Sequence, residues 1–409
     1  MFPVLHLLSM NSKKKILIIP SWYPSKSRPG LGTFFREQAQ LLTNRFDIRI
    51  LHGTRKDIGR MKKIINLLNY LLRLPITITF SSGYLLEPPR AYHFFYEYSL
   101  NILKKINYNR IIRYYLVAYS KLQKDGWVPD LIHAHDTFLA GIVASRIARR
   151  SGIPYIITEH NYLQLNFPDY VRNDFISAME RSSRVLLVSY YQLKNLLMHF
   201  IRCRSVVIGN MVDEDHFNIK ESSPHERFEV LTVGRAAYHK DYDTFFKVVL
   251  EIARRGTTDI HFTVVGNGVA QLVEKKSHTE REIIMKYCSF VDYVPRETMP
   301  QYYHQCDVFL STSVAETFGL AACEALFCGR PVVSTDNGGV DEMIAPGNQM
   351  VVKIRDINAL AEALLKIKNN EVIFDPETIR ASVMNKFSKH AFRNSLMEVY
   401  QAAITNNER

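Results

Sequence analysis

The sequence predicts an α/β chain made of two successive, doubly wound parallel sheets. Three observations carry that expectation. Short apolar, β-branched runs alternate with amphipathic helical stretches, the alternation occurs twice, and an acidic stretch, MVDEDHFNIKESSPHERF (211–228), parts the two series. Strands that are apolar throughout, each followed by a helix, suit a parallel sheet covered on both faces. With 409 residues, the chain is long enough for two or three domains of ordinary size.

In the first series the expected strands are 15–20, 47–52, 131–134, 155–158, 185–189 and 205–208, with helices at 33–42 and 139–151. In the second they are 228–233, 260–265, 284–290, 308–311, 332–335 and 350–353, with helices at 242–255 and 318–328. The reading is therefore two Rossmann-like domains, 13–210 and 211–388, and a last helix, 389–406, that packs back on the first. Ligands of open parallel sheets bind beyond the carboxyl ends of the strands. Two such sheets facing one another would share a site in an interdomain cleft.

Composition excludes several classes. Apolar residues make up 47% and charged residues 22%, which rules out disordered and fibrous chains. Five cysteines without a C-x-x-C pair give neither a disulfide framework nor a zinc signature, and fit a reducing compartment. No apolar run approaches the ~18–20 residues of a spanning helix; the richest, 67–80, is broken by Arg73 and Pro75. The opening MFPVLHLLSM lacks the basic start and small-residue cleavage site of a signal peptide, and MNSKKKILIIP from Met10 reads as a natural start. Residues 1–9 are thus read as an extension, and the protein as cytoplasmic.

The net charge of +12 is unevenly spread. Residues 1–210 hold 30 Lys and Arg against 12 Asp and Glu, whereas residues 211–409 hold 22 against 28. A +18 half and a −6 half imply different partners, the first anionic. Segments 60–74 (RMKKIINLLNYLLRL) and 101–119 (NILKKINYNRIIRYYLVAY) both read as basic amphipathic helices. They suit an anionic membrane surface, or are two surface helices with solvated basic faces. Nucleic acid is set aside, since no zinc-finger or RNP-type motif accompanies the charge.

The residues with chemical potential follow strands. Gly30 and Gly32 precede a helix with Thr33 as its N-cap, a turn that lets a ligand approach backbone amides. No G-x-G-x-x-G is present, which counts against a nicotinamide enzyme. LIHAHD ends in His133 and His135, and ITEHNY holds Glu159, His160 and Asn161. In the second series VGRAAYHKDYD supplies Arg235 and Lys240, two cations suited to a phosphate. VVGNG supplies Gly266 and Gly268. Glu316 lies in a loop, Phe318-Gly319-Leu320 open a helix, and Glu324 sits one turn inside it. A helix N-terminus offers free N–H groups to a diphosphate, and a carboxylate there can hold a ribose diol.

Taken in order, these motifs resemble the family 4 retaining glycosyltransferases of the GT-B fold. Glu316 to Glu324 matches their E-x-F-G-x(4)-E signature, and PGLGTFFREQAQLL, DLIHAHD, ITEHN, VIGNMVDEDHF, VGRAAYHKDYD and VVGNG match the other motifs over nearly the whole chain. The resemblance implies a nucleotide-diphosphate sugar as co-substrate, a UDP-sugar before GDP-mannose, with no metal and no other cofactor. It implies Arg235 and Lys240 on the leaving diphosphate, Glu316 on the transferring sugar and Glu324 on the ribose. Amides of Phe318, Gly319 and Leu320 would cradle phosphate and sugar. Gly30, Gly32 and Gly266 would border the donor, His160 would lie near its sugar, and His133, His135 and Asn161 would face the acceptor. The implied chemistry is front-face attack, the departing phosphate taking the acceptor's proton.

The expected acceptor is lipid-linked or a polysaccharide, in bacterial capsule, O-antigen or exopolysaccharide synthesis at the inner face of the membrane. A nucleotide-sugar 2-epimerase of the same fold is the alternative. Two positions depart from the family pattern: Asp241 stands where K-G-x-D has glycine, and Met211 where N-G-V-D has it.

Overall fold

The computed structural model describes residues 13–24, 32–81, 89–163, 165–220, 226–343 and 349–405. Gly30 and residues 1–9 lie outside the described residues.

The chain divides into two compact units. The first runs to Leu186 and takes back Leu197–Val206 and the segment from Leu396; the second comprises Leu187–Leu196 and Val207–Ser395. The first unit's sheet has β1 (Lys15–Pro20), β2 (Asp47–Lys56), β3 (Arg90–Glu97), β4 (Leu131–His135), β5 (Tyr155–Glu159), β6 (Arg184–Leu187) and β7 (Ser205–Val207), in the order β3-β2-β1-β4-β5-β6-β7. Strands β3 through β5 of that order pair in parallel. The order reverses direction between β1 and β4, so the ends of these two strands form a switch point. Helices α1 (Thr33–Gln40), α2 (Arg60–Leu71), α3 (Lys104–Leu122), α4 (Ile142–Ser151), α5 (Asp169–Glu180) and α6 (Tyr190–Met198) connect the strands.

The second unit's sheet has β8 (Phe228–Val233), β9 (Ile260–Val265), β10 (Cys288–Val291), β11 (Val308–Ser311), β12 (Val332–Thr335) and β13 (Gln349–Val352), in the order β10-β9-β8-β11-β12-β13, all parallel. Its switch point lies between β8 and β11. Neighbouring residues along a strand enter opposite cores, as the two-residue period of a strand dictates. Val230, Val264 and Leu310 join Phe245, Phe246 and Val249 of α7 (Tyr242–Arg254), while Leu231, Val265 and Phe309 join Tyr303, Leu326 and Phe327. Both faces being covered, the strands are mostly apolar.

Three expectations need correction. Strand β3 went unread because RAYHFFYE holds Arg, His and Glu; it is the edge strand of the sheet, beside β2, with a single antiparallel bridge from Phe80 to Phe94 on its other side, so several of its side chains stay partly exposed. The strand expected at 284–290 is mostly helix, His278–Tyr287, and the strand begins only at Cys288. The cause is a capping box: Ser277 accepts from Glu280 N–H while Glu280 accepts from Ser277 N–H. Segment 101–119 is no exposed amphipath. Helix α3 buries Tyr108, Ile111, Ile112, Tyr115 and Ala118, and Arg110 is buried as a donor to the Asn66 carbonyl (2.7 Å).

Helix α2 differs from α3. Met61, Leu68 and Leu71 are 72%, 52% and 61% exposed, and Asn66 is the buried member of the helix. No helix among the described residues is long and apolar enough to cross a membrane. The five cysteines form no disulfide.

Candidate active site

In the second unit the strand ends bring charges and glycines together. Beyond β8, Gly234 donates to the Val265 carbonyl (2.9 Å). A Cβ on Gly266 would lie 1.9 Å from the Gly234 oxygen, so the two strand ends meet where no side chain fits. Arg235 is exposed on this loop, and among the described residues it has no partner. Lys240 ends a single 3-10 turn, Tyr238–Lys240. Its Nζ lies 2.5 Å from Glu316 Oε1, which also accepts from Ser313 Oγ (2.8 Å). Both side chains of that ion pair are largely buried.

Asp241, the residue in place of a glycine, takes the left-handed conformation (φ 48°, ψ 55°). Its Oδ2 accepts from Thr244 Oγ1 (2.8 Å) and from Arg355 Nε (3.1 Å). Side-chain hydrogen bonds thus supply what the missing glycine would give through backbone freedom.

The Glu316 loop leads to Gly319 (φ 88°), the N-cap of helix Leu320–Phe327; a Cβ there would lie 2.4 Å from Val340 Cγ2. Phe318 turns its side chain inward, edge-on to Phe387 at 5.0 Å. Glu324 is buried, with Oε1 2.8 Å from Arg296 Nη1 and Oε2 accepting from Tyr303 Oη (2.9 Å). Burial and the Glu324 charge push the Tyr303 hydroxyl's pKa well up. Burial and Lys240 lower His239.

In the first unit the corresponding strand ends gather aromatic and histidine rings beside two buried carboxyls, Asp136 and Glu159. Gly32, and not Thr33, is the N-cap of α1 (φ 74°), with Trp22 so close that a Cβ would fall 2.9 Å from its Cδ1. Phe35 of α1 packs on His135 and His160, with ring centroids 4.6 and 5.1 Å away. His135 Nδ1 lies 3.1 Å from His160 Nε2, and the His133 ring lies 4.2 Å from that of His135, tilted by 37°. His133 reaches Tyr400 Oη (2.8 Å) and Thr158 Oγ1 (2.7 Å). Both His133 and His135 are 1% exposed. The expectation that they face an acceptor therefore meets full burial, because they occupy β4 itself and lie among covered neighbours. Burial, helped by the His160 charge, lowers the pKa of His133 to about 3 and holds His135 well below its usual value. Asn161 donates to Asp136 Oδ1 (3.1 Å) from its side chain and to Glu159 Oε1 (3.0 Å) from its backbone.

The structure brings Gly32, His133, His135, His160 and Asn161 together in the first unit, and Arg235, Lys240, Gly266, Glu316 and Gly319 in the second. Sequence reasoning missed Ser313, Arg296, Tyr303, Tyr400 and Asp136. Asp136 left a signal, an acid closing HAHD directly after a strand. Ser313 lies in the Glu316 loop itself, three residues earlier, while Arg296, Tyr303 and Tyr400 come from distant elements and left none.

Comparison with known proteins agrees with this architecture. Residues 213–389 match the family model "Glycosyl transferases group 1" and residues 64–216 match "Glycosyltransferase Family 4". A Bacillus subtilis protein named for teichuronic acid biosynthesis, TuaC, is 26% identical over 386 residues, covering 89% of this chain and 91% of its own. The 2-deoxystreptamine N-acetyl-D-glucosaminyltransferase of Niallia circulans is 24% identical over 301 residues, 67% of this chain and 76% of its own. Among solved structures, sucrose-phosphate synthase of Thermosynechococcus elongatus superposes with a TM-score of 0.70 at 17% identity, covering 95% of this chain and 98% of that one. Anabaena Alr3699/HepE in complex with UDP-glucose gives 0.66 at 18%, covering 95% and 99%. With two matched family models, glycosyltransferase relatives and this pair of parallel sheets, the chain belongs to the family 4, group 1 glycosyltransferases of the GT-B fold.

Proposed function

We propose that this glycosyltransferase moves a sugar, with retained anomeric configuration, from a nucleotide-diphosphate donor to a lipid-linked or polysaccharide acceptor in bacterial cell-surface glycan synthesis. A UDP-sugar is the first choice of donor and GDP-mannose the second. The observation that carries the reading is the buried Lys240–Glu316 pair at the β8–β11 switch point, with Arg235 exposed beside it. An arriving diphosphate would draw Lys240 from Glu316 and add Arg235, leaving the Glu316 carboxylate for the sugar. Amides of Phe318, Gly319 and Leu320 at the helix start would hold phosphate, and Glu324 the ribose. In the first unit Gly30 and Gly32 would border the diphosphate, His160 the sugar and Asn161 the acceptor, with His133 and His135 supporting His160 from beneath.

In the reaction the anomeric carbon–phosphate oxygen bond breaks and the bond to the acceptor oxygen forms. The acceptor's proton passes to the departing phosphate. Negative charge grows on the diphosphate, where two cations and a helix N-terminus stabilise it. The proposal needs no metal, since these groups supply the positive charge. Support for a UDP-sugar comes from the fold neighbour solved with UDP-glucose, and for a glycan acceptor from the relative named for teichuronic acid biosynthesis.

The same reading has the protein cytoplasmic and held at the inner face of the membrane. The exposed ridge of α2, with Arg60, Lys62, Lys63 and Arg73 around it, supports this, and α3 is dropped from it. Vesicles with anionic lipid should retain the protein, less so at high salt; equal binding to neutral vesicles would discard the electrostatic part. For the reaction, a nucleotide diphosphate or its sugar should raise the melting temperature by mass action, and the same donor should be consumed only with an acceptor present. Consumption without acceptor would instead favour the epimerase.

A further inference from the structure

We propose that Asp136 and Glu159 share one proton, carried on Asp136 Oδ2, and that this pair positions the His135–His160 rings for the reaction. The inference rests on the proposed function for what the rings do, and on geometry for the proton.

Asp136 follows β4 and Glu159 ends β5, two neighbouring parallel strands, and both carboxyls are buried. Each reaches into the other's loop. Asp136 Oδ1 accepts from His160 N–H (3.1 Å) and from Asn161 Nδ2 (3.1 Å). Glu159 Oε2 accepts from Thr137 N–H (3.0 Å), and its Oε1 from Asn161 N–H (3.0 Å). Three of the four carboxyl oxygens therefore have N–H donors. The fourth, Asp136 Oδ2, is buried with no hydrogen-bond partner.

As an anionic oxygen, Oδ2 would be desolvated, without a donor, and beside a second buried carboxylate. Two buried carboxylates in contact do not both ionise. As a hydroxyl it becomes a donor, and the Glu159 carboxylate is the acceptor that we assign to it. Burial and the Glu159 charge push the Asp136 carboxyl well above its ordinary range, in agreement with that geometry. Burial raises Glu159 as well, and its N–H donors offset part of the rise.

The consequence for His160 is positional. Its backbone N–H is fixed by Asp136, while its ring is fixed by His135, the residue just before Asp136. The Asp136 backbone is itself held at φ 70°, ψ 143°, a conformation that a side chain so tethered maintains. Losing the proton would set two buried anions against each other and part the two loops that hold these rings.

The infrared spectrum of the ligand-free protein in deuterated buffer at neutral pH tests the proton. A protonated carboxylic acid band should be present and should vanish in Asp136→Asn. Asparagine presents an N–H to Glu159 and an oxygen to the His160 loop, so Asp136→Asn should keep kcat within about threefold. Glu159→Gln puts an amide where the anion must be. It should lower kcat roughly 10- to 100-fold at an unchanged KM for a UDP-sugar, and lower the melting temperature by several degrees because one backbone N–H then faces an amide N–H. Absence of the band overturns the proposal, as does an Asp136→Asn chain that fails to fold or is as impaired as Glu159→Gln. The infrared measurement reads the protein alone, so a parent chain that transfers no sugar would sink the functional reading and leave the proton decided.

Discussion

The two units present opposite chemistry at equivalent places. The first unit belongs to the +18 half of the chain, yet beside its β1–β4 switch point it gathers histidines kept neutral by burial. The second belongs to the −6 half, yet beside its β8–β11 switch point it holds Lys240 and Arg235. Net charge is thus a property of surfaces and says little about a site. A site's character is set by the few groups that strand ends carry inward.

The comparison breaks most decisively through the second unit's cations. Lys240→Ala leaves Glu316 as a largely buried charge whose remaining side-chain partner among the described residues is Ser313. It should cut kcat about 100- to 1000-fold, the cost of removing one stabilising charge from a transition state. Steady-state kinetics with a folded variant decides this, and full activity would mean that the diphosphate is held elsewhere.

The next effect belongs to the first unit and is set by pH. The pKa values of His52 and His133 fall to about 4 and about 3, mainly through burial. Between those values and the ordinary ~6.5, the unfolded chain binds protons that the folded chain refuses, so stability falls as pH drops. From pH 7 to pH 5 each should cost about 2 kcal/mol. Hydrogen exchange at the two pH values should show protection lost in β1, β4 and β5 before β8 and β11. Equal loss in both sheets would erase the contrast.

Shape gives a third effect, confined to the second unit. Gly319→Ala places a methyl group against Val340 at a positive φ and should destabilise that unit by about 1–3 kcal/mol, read from its denaturation midpoint. The smallest effect sharpens the first unit again. Tyr400→Phe removes the hydroxyl beside His133 Nδ1 and should cost about 1 kcal/mol.

The sequence was legible where one physical signal dominates. Five strands (β1, β8, β9, β11 and β12) match their expected bounds residue for residue, since each is a short apolar run closed by a turn or helix signal. Strand β3 was illegible because an edge strand need not be apolar, and helix His278–Tyr287 because the segment 284–290 reads as a strand when the capping box at Ser277 is overlooked. The candidate residues could be named, since loops after strands carry them, but not their partners. That Glu324 meets Arg296, or that His133 meets Tyr400 some 267 positions away, follows from packing alone. Likewise, nothing local tells α2 from α3: both read as basic amphipaths, and tertiary burial separates them.

Asp241 has a consequence for the turn that carries Lys240. A glycine would hold this turn by shape, indifferent to the solvent. Here it is held by a carboxylate whose partner, Arg355, is well exposed, and salt screens such a pair. The turn that carries Lys240 is therefore held by a contact whose strength depends on ionic strength, which a turn held by a glycine's shape would not be.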